Sequence, residues 1–252
     1  MKFHVLIPAR YAATRLPGKP LLDVGGRPMI AWVYERATAS GAESVAVATD
    51  SEPIRAACDS LGLSVVMTKA THVTGTDRIA EVAHRKAWAA DAIVVNVQGD
   101  EPLVPPAAIR QVAQLLTDSQ DAAIATLAAP IESLQEFLDP NVVKVVTDGG
   151  GRALYFSRAP IPWTRDAAPQ GLGSQSSCAG ALRHIGMYAY RVGALLRMAA
   201  LAPTPLEQRE RLEQLRALEN GLEIRVAIAV EIPPPGVDTP ADLDRVRRLI
   251  QP

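Results

Sequence analysis

Apolar residues fall into two rhythms along this chain. "HVLIPA", "SVAVATD", "LSVVMT" and "AIVVNVQGDEP" open on short runs that are apolar at nearly every position. "PMIAWVYERATASG", "SEPIRAACDSLG", "TDRIAEVAHRKAWAA" and "PPAAIRQVAQLL", which lie between and after them, repeat apolar residues at helical spacing. A strand with one wet face alternates, whereas a run without alternation is buried on both faces. Strands of that kind separated by helices predict a parallel sheet with helices on both sides. Pro28 marks the start of the first helix and Gly41 its end.

After Asp121 the rhythm changes. "DAAIATLAAPI", "VVKVVTD", "RALYFSR" and "LRHIGMYAYR" read as strands, and "DGGGR" divides two of them. "VGALLRMAAL" and "PLEQRERLEQLRALENG" read as helical stretches. A strand "EIRVAIAVEI" and a helix "PADLDRVRRLI" follow. The pattern predicts an α/β first half over residues 1–120. A smaller mixed or antiparallel part covers 121–230, and a C-terminal segment, 231–252, packs back on the first half. "TRDAAPQGLGSQSSCAG" has the composition of a mobile surface loop.

Composition narrows the class. The 252 residues are 48% hydrophobic with a net charge of -1. That length supports a sizeable core. Near-neutrality argues against a nucleic-acid binder or a membrane-surface binder, both of which need a basic face. No apolar run reaches membrane-spanning length, and "MKFHVLIPA" does not read as a secretory signal. Two cysteines form no disulfide framework, so a reduced, cytoplasmic protein is expected. Four histidines without metal-ligand spacing make zinc a poor expectation.

Open parallel sheets bind ligands beyond the carboxyl ends of their strands. Three polar segments follow such ends here: the loop Ala9 to Lys19, Asp50 after "VAT", and "QGDEP". All three are expected to converge on one crevice. The first carries Arg10, Arg15 and Lys19. Backbone N–H groups of a kinked loop can wrap a polyphosphate, with arginine giving forked hydrogen bonds and lysine a point charge. It matches neither common nucleotide fingerprint. A solvated loop with incidental cations explains its composition equally well.

"VNVQGDEPLVP" places Gln98 and Asp100 just past an apolar strand. Such a carboxylate can hold Mg²⁺, which takes few protein ligands, while Gln98 can donate and accept. A strand-ending turn favours the same residues. In "PGVDTPADLDRV", Thr239, Pro240 and Asp242 are explained by a helix start. Asp238 is the residue the cap does not need, and so the candidate second metal ligand. Thr74, Gly75 and Thr76 open a helix and offer groups to a base or phosphate, or simply cap it. His184 sits in an apolar strand, where core packing is the ordinary role. Glu213 and Gln214 pass for a solvated helix face.

Taken in order, "IPARYAATRLPGKPL", "VATD", "TGTDR", "VNVQGDEP", "NVVKVV", "ALYFSRAPIPW", "RHIGMYAYR", "PLEQRERLEQLRALENG" and "GVDTPADL" resemble the 3-deoxy-manno-octulosonate cytidylyltransferase family over nearly the whole chain. The resemblance implies a Rossmann-like nucleotidyltransferase fold with a smaller sugar-binding and dimerisation part in the second half. It implies that Arg10, Arg15 and Lys19, with Ala9 at the base, grip the triphosphate of CTP. Thr74, Gly75, Thr76, Asp77 and Arg78 would lie near the cytosine and ribose. Asp100 and Asp238 resemble the family's Mg²⁺ ligands. Gln98, Arg158, Arg165, His184, Tyr188, Glu213 and Gln214 match positions lining the sugar pocket.

The implied reaction joins the anomeric hydroxyl of 3-deoxy-manno-octulosonate (Kdo) to the α-phosphorus of CTP and releases pyrophosphate. Arg10, Lys19, Asp100 and Asp238 would carry it by positioning and charge neutralisation. Arg158, Arg165 and His184 as a donor are the groups available for the sugar's carboxylate. A cytidylyltransferase for sialic acid or an 8-amino relative of Kdo, and a nucleotide-binding regulator without catalysis, are the competing readings. The resemblance also implies a homodimer with small-molecule substrates.

Overall fold

The computed structural model describes residues 1–11 and 16–250. Its first half runs β1 (His4–Ala9), β2 (Asp23–Val24), β3 (Arg27–Pro28), α1 (Met29–Ala39), β4 (Ser44–Thr49), α2 (Glu52–Ser60), β5 (Val65–Met67), α3 (Gly75–Arg85), β6 (Ile93–Asn96) and α4 (Pro106–Asp118). The second half continues with β7 (Ile124–Pro130), α5 (Leu134–Leu138), β8 (Lys144–Thr147), β9 (Ala153–Ser157), β10 (Leu182–Arg191) and α6 (Val192–Ala200). It ends with α7 (Pro205–Glu210), α8 (Gln214–Glu219), β11 (Ile224–Ile228) and α9 (Pro240–Ile250).

One nine-stranded sheet organises the chain in the order β11-β7-β10-β6-β1-β4-β5, with β8 and then β9 branching from β10. β1 pairs in parallel with β4 and β6, β4 with β5, and β7 with β11. β10 runs antiparallel to β6, β7 and β8. The fold is α/β, with a mostly parallel sheet flanked by helices. The mixed character expected of the second half comes from β10 and the β8–β9 hairpin. β7 and β11 join the same sheet as β1.

Side-chain alternation along β1 divides the core. Val5 and Ile7 pack into one cluster with Ile30 and Val33 of α1, Ile54 of α2 and Ile109 of α4. Leu6 packs into the opposite cluster with Ile79 and Val82 of α3, Leu195 of α6 and Leu215 of α8. Both faces are dry, which is why β1 shows no polar alternation. Each such Val, Leu or Ile contributes about 1.5–3 kcal/mol by leaving water. A third cluster (Val24, Met29, Val237, Leu243 and Val246) docks α9 on the β2–β3 hairpin.

The stretch "PLEQRERLEQLRALENG" breaks in two. Glu207 Oε2 accepts from the Thr204 N–H at 3.1 Å where α7 starts, and Arg211 then turns into the left-handed region. A continuous helix would hold Glu207 and Arg216 about 13.5 Å apart along its axis. The break folds Arg216 back, so that its guanidinium donates two hydrogen bonds to Glu207, at 2.5 and 2.8 Å. Among the described residues, no helix is long and apolar enough to cross a membrane.

Candidate active site

β1 is where the chain switches sides, running first to β4 on one flank and later to β6 on the other. At its carboxyl end Arg10 donates to the carbonyl of Val73. The loop returns with the Gly18 N–H on the Tyr11 carbonyl at 2.9 Å and the Lys19 N–H on the Leu16 carbonyl at 3.1 Å. Lys19 then opens a short 3₁₀ turn, Lys19–Leu21, that buries Pro20. Arg15 lies outside the described residues.

β6 continues into the turn that carries Gln98, Gly99 and Asp100. A Cβ on Gly99 would stand 3.0 Å from the Pro8 carbonyl oxygen, so only glycine lets this turn press against the end of β1. The Val237 N–H donates to the Asp100 carbonyl at 2.9 Å. That bond seats the C-terminal segment and brings Asp238 across from a position far along the chain.

Lys19 Nζ then lies 2.8 Å from Asp100 Oδ2 and 3.1 Å from Asp238 Oδ1. Burial works to lower the Lys19 pKa, but Asp100 and then Asp238 outweigh it and hold the ammonium above its usual range. The cap of α9 is satisfied without Asp238's carboxylate: Asp242 Oδ2 accepts from the Thr239 N–H and hydroxyl, and the Asp242 N–H donates to Thr239 Oγ1.

α3 begins beside this pair. The Thr74 side chain accepts from the Asp77 N–H, and the Asp77 carboxylate accepts from the Thr74 N–H, each at 3.0 Å. Of the two open roles of the "TGT" segment, the cap is the one these bonds fill. Its side chains build the cap, while Gly75 presses against Pro8, where a Cβ would stand 3.2 Å from the proline ring. Thr76 and Arg78 point inward and are buried. Arg78 pairs with Asp50 at 3.1 Å, joining the ends of β4 and α3.

A cavity of about 230 Å³ results, lined by Pro8, Ala9, Arg10, Lys19, Pro20, Gly75, Gln98, Gly99 and Asp100. A second, of about 420 Å³, adjoins it through Arg10 and is lined also by Asp50, His72 and Arg78. Cations and backbone line the first, while the second offers a carboxylate, an imidazole and a guanidinium in a shaped hollow. Together they suit a polyphosphate with a base beside it. Gln98, expected on the sugar side, lines the phosphate-sized cavity.

Of the other expected residues, His184 and Tyr188 lie on β10, and Glu213 and Gln214 at the start of α8. His184 Nε2 is 2.9 Å from Thr126 Oγ1, and its ring meets Phe156 edge-on and Tyr188 at a tilt. Burial pushes its imidazole down to about 3. Burial also raises the Tyr188 phenol well above its usual range, with Tyr190 and Glu213 adding to the effect. Glu213 is held above the usual carboxylate range by burial, against the pull of Thr76 and Arg216. Gln214 is buried at the start of α8.

Arg158 is engaged internally: Nε donates to the Glu210 carbonyl at 2.7 Å and Nη1 to the Pro140 carbonyl at 3.0 Å. Arg165 is exposed on the 164–180 segment. His184 also lines a cavity of about 590 Å³ with Asn141, Arg183, Gly186, Ile232 and Pro235.

The sequence matches the cytidylyltransferase family over residues 4–224. It is 55% identical over 251 residues to 3-deoxy-manno-octulosonate cytidylyltransferase of Thioalkalivibrio sulfidiphilus, covering 100% of both chains. It is 55% identical over 249 residues to the enzyme of that name from Pseudomonas fluorescens, covering 99% of this chain and 98% of the relative. The chain belongs to the 3-deoxy-manno-octulosonate cytidylyltransferase family. A solved structure of CMP:2-keto-3-deoxy-manno-octonic acid synthetase complexed with CTP superposes with a TM-score of 0.89. That protein is 43% identical, and the match covers 99% of this chain and 98% of the other.

Three residues of this cytidylyltransferase went unnoticed in the sequence. Glu101 buries an oxygen with no hydrogen-bond partner among the described residues, and burial together with Asp100 pushes its carboxyl up to about 8. Its place in "QGDEP" was the available signal. Lys144 and Thr126 look like ordinary strand residues, and only tertiary contacts single them out.

Proposed function

We infer that the protein transfers CMP from CTP to Kdo, giving CMP-Kdo and pyrophosphate, the activation step that supplies the sugar for lipopolysaccharide assembly. The observation that carries this reading is the convergence of Lys19, Asp100 and Asp238 beside Arg10 at the switch point of the sheet. It is supported by full-length relatives of that name and by a CTP-bound structural neighbour.

The sugar hydroxyl oxygen forms a bond to the α-phosphorus while the bond to the bridging oxygen breaks. Pyrophosphate leaves with that electron pair, and the hydroxyl proton is lost. Arg10 and Lys19 neutralise the phosphate chain, and each well-aimed group of this kind is worth about 10²–10³ in rate. The crevice walls hold the reactants in line.

Asp100 and Asp238 fit a Mg²⁺ ion. Both already direct an oxygen at one cation, the Lys19 ammonium, and Mg²⁺ takes one or two carboxylates with the remainder water and phosphate. When bound, it would supply a Lewis acid for the phosphate oxygens and the attacking hydroxyl.

Incubation with CTP, Mg²⁺ and a panel of Kdo, 8-amino-Kdo and sialic acid, with pyrophosphate release as readout, tests this reading. Turnover with Kdo is expected, and its absence would overturn the assignment. We place the enzyme in the cytoplasm as a homodimer. The exposed Leu154, Trp163, Ile228, Val230 and Ile232 of the second half support the dimer as apolar surface open to burial. Sedimentation at a monomer mass would remove it.

A further inference from the structure

The pairing of β7 with β10 slips between Ile185 and Tyr188. Such a bulge leaves ladder groups unpaired and re-aims side chains. Here three groups gather on one hydroxyl. Thr126 is fully buried. Its Oγ1 lies 2.7 Å from the Met187 carbonyl, 3.0 Å from the Ile185 carbonyl and 2.9 Å from His184 Nε2.

A threonine hydroxyl has a single proton, and a carbonyl oxygen has none. At 2.7 Å two oxygens without a proton between them repel, so the Thr126 proton goes to the Met187 carbonyl. The imidazole must then bring its own. We propose that Thr126 is a positioning residue that locks His184 in the Nε2–H tautomer and thereby presents Nδ1 as a hydrogen-bond acceptor to a hydroxyl of the sugar acid.

Three further observations support this. Phe156 and Tyr188 hold the ring in place. Burial keeps it neutral, so Nδ1 carries no second proton. Among the described residues the imidazole makes no other hydrogen bond, and His184 lines the adjoining cavity. A bare ring nitrogen repels a carboxylate and welcomes an O–H donor. His184 therefore reads the hydroxyl pattern of the ligand and leaves the carboxylate to a cation, the reverse of the donor role expected from sequence. The identity of the hydroxyl's owner rests on the function proposed above. The tautomer does not.

Nitrogen-15 NMR of the histidine-labelled protein without substrate, near neutral pH, tests the lock. The His184 signals are assigned by their loss in His184→Gln. The expected result is one protonated nitrogen, Nε2, and one bare nitrogen, Nδ1. A protonated Nδ1 in the wild type overturns the proposal whether or not any variant folds.

Thr126→Val keeps the shape and removes the hydroxyl. It is expected to mix the tautomers and to raise the KM for Kdo roughly threefold to tenfold with the KM for CTP unchanged. Thr126→Ser is expected to restore both. Wild-type tautomer and KM in Thr126→Val would overturn the proposal. No turnover with Kdo by the wild type would overturn the sugar assignment, while the spectrum still decides the tautomer.

Discussion

Around Lys19 the charged groups face a cavity and the two carboxylates reach solvent, whereas around His184 the polar groups are turned inward onto each other and onto backbone carbonyls. At the crevice, Lys19 is held by two carboxylates, of which Asp238 is largely exposed. Its local structure is backbone packing: Gly99 and Gly75 against Pro8, and Val237 on Asp100. Around β8 and β10, Arg158 serves Glu210 and Pro140, Lys144 serves three carbonyls, and Thr126 serves His184 and a bulge. The first region presents net charge that water and a ligand can reach. The second fixes donor and acceptor directions through buried partners. Substitutions should therefore cost function at the crevice and stability around His184 and Lys144.

The sharpest break of that contrast lies at the carboxylates. Asp100→Asn and Asp238→Asn are each expected to lower turnover by about 10²–10³-fold, the scale of one lost electrostatic group. Asp238 is 57% exposed, and an exposed ion pair contributes about 0–1 kcal/mol to folding, so Asp238→Asn should move the melting temperature by no more than about 4 °C. Pyrophosphate release at limiting Mg²⁺, beside a melting curve, checks both. Wild-type turnover in either variant removes that residue from the machinery.

Lys144→Met probes the opposite side. Lys144 is fully buried, and its ammonium donates to the carbonyls of Asp139, Val142 and Arg158 at 2.9, 2.5 and 2.8 Å. Stranding three acceptors should cost about 3 kcal/mol or more, read as a lower urea midpoint at unchanged slope. A midpoint equal to wild type would show that the sugar side does not depend on this buried network.

Lys19→Ala sharpens the charge side. It should weaken CTP more than CMP by roughly tenfold or more, as expected of a charge-assisted hydrogen bond worth about 1.5–3 kcal/mol. Calorimetry with both nucleotides measures it, and equal losses would take Lys19 off the triphosphate.

The remaining effect is one of pH. The folded His184 titrates near 3 and an unfolded histidine near 6.5. Between those values the unfolded chain binds the extra proton, so folded stability falls as pH drops from about 6.5 and is complete above it. His184→Gln lacks this loss. The stability gap between the two proteins should therefore narrow on acidification, by up to about 1.4 kcal/mol per pH unit. A gap that stays constant from pH 7 to pH 4.5 would mean that the ring is not held neutral.

Much of the fold was legible in the order of the residues. The apolar runs of β1, β4 and β6 announced a sheet buried on both faces, because local burial alone determines whether a strand can afford alternation. The cap logic at Thr239 and Asp242 correctly left Asp238 over. The break at Arg211 was not legible, since the pairing of Arg216 with Glu207 that favours it depends on a turn taken by the chain as a whole. Nor could periodicity show that β7 and β11 join the sheet of β1 rather than one of their own.

The sequence by itself determined which chemical groups exist near each strand end: the cations after β1, the carboxylate after β6, and the caps of α3 and α9. These are matters of a few neighbouring residues, where backbone geometry and local hydrogen bonding decide. Only the tertiary structure decided which of those groups meet and in which direction their protons point. Asp238 reaches Lys19 because Val237 binds Asp100, Arg158 is taken up by carbonyls, and His184 becomes an acceptor because Thr126 has one proton and the Met187 carbonyl lies nearer to it. Contact across the fold and the saturation of hydrogen-bonding groups are properties of the packed molecule, and no spacing along the chain records them.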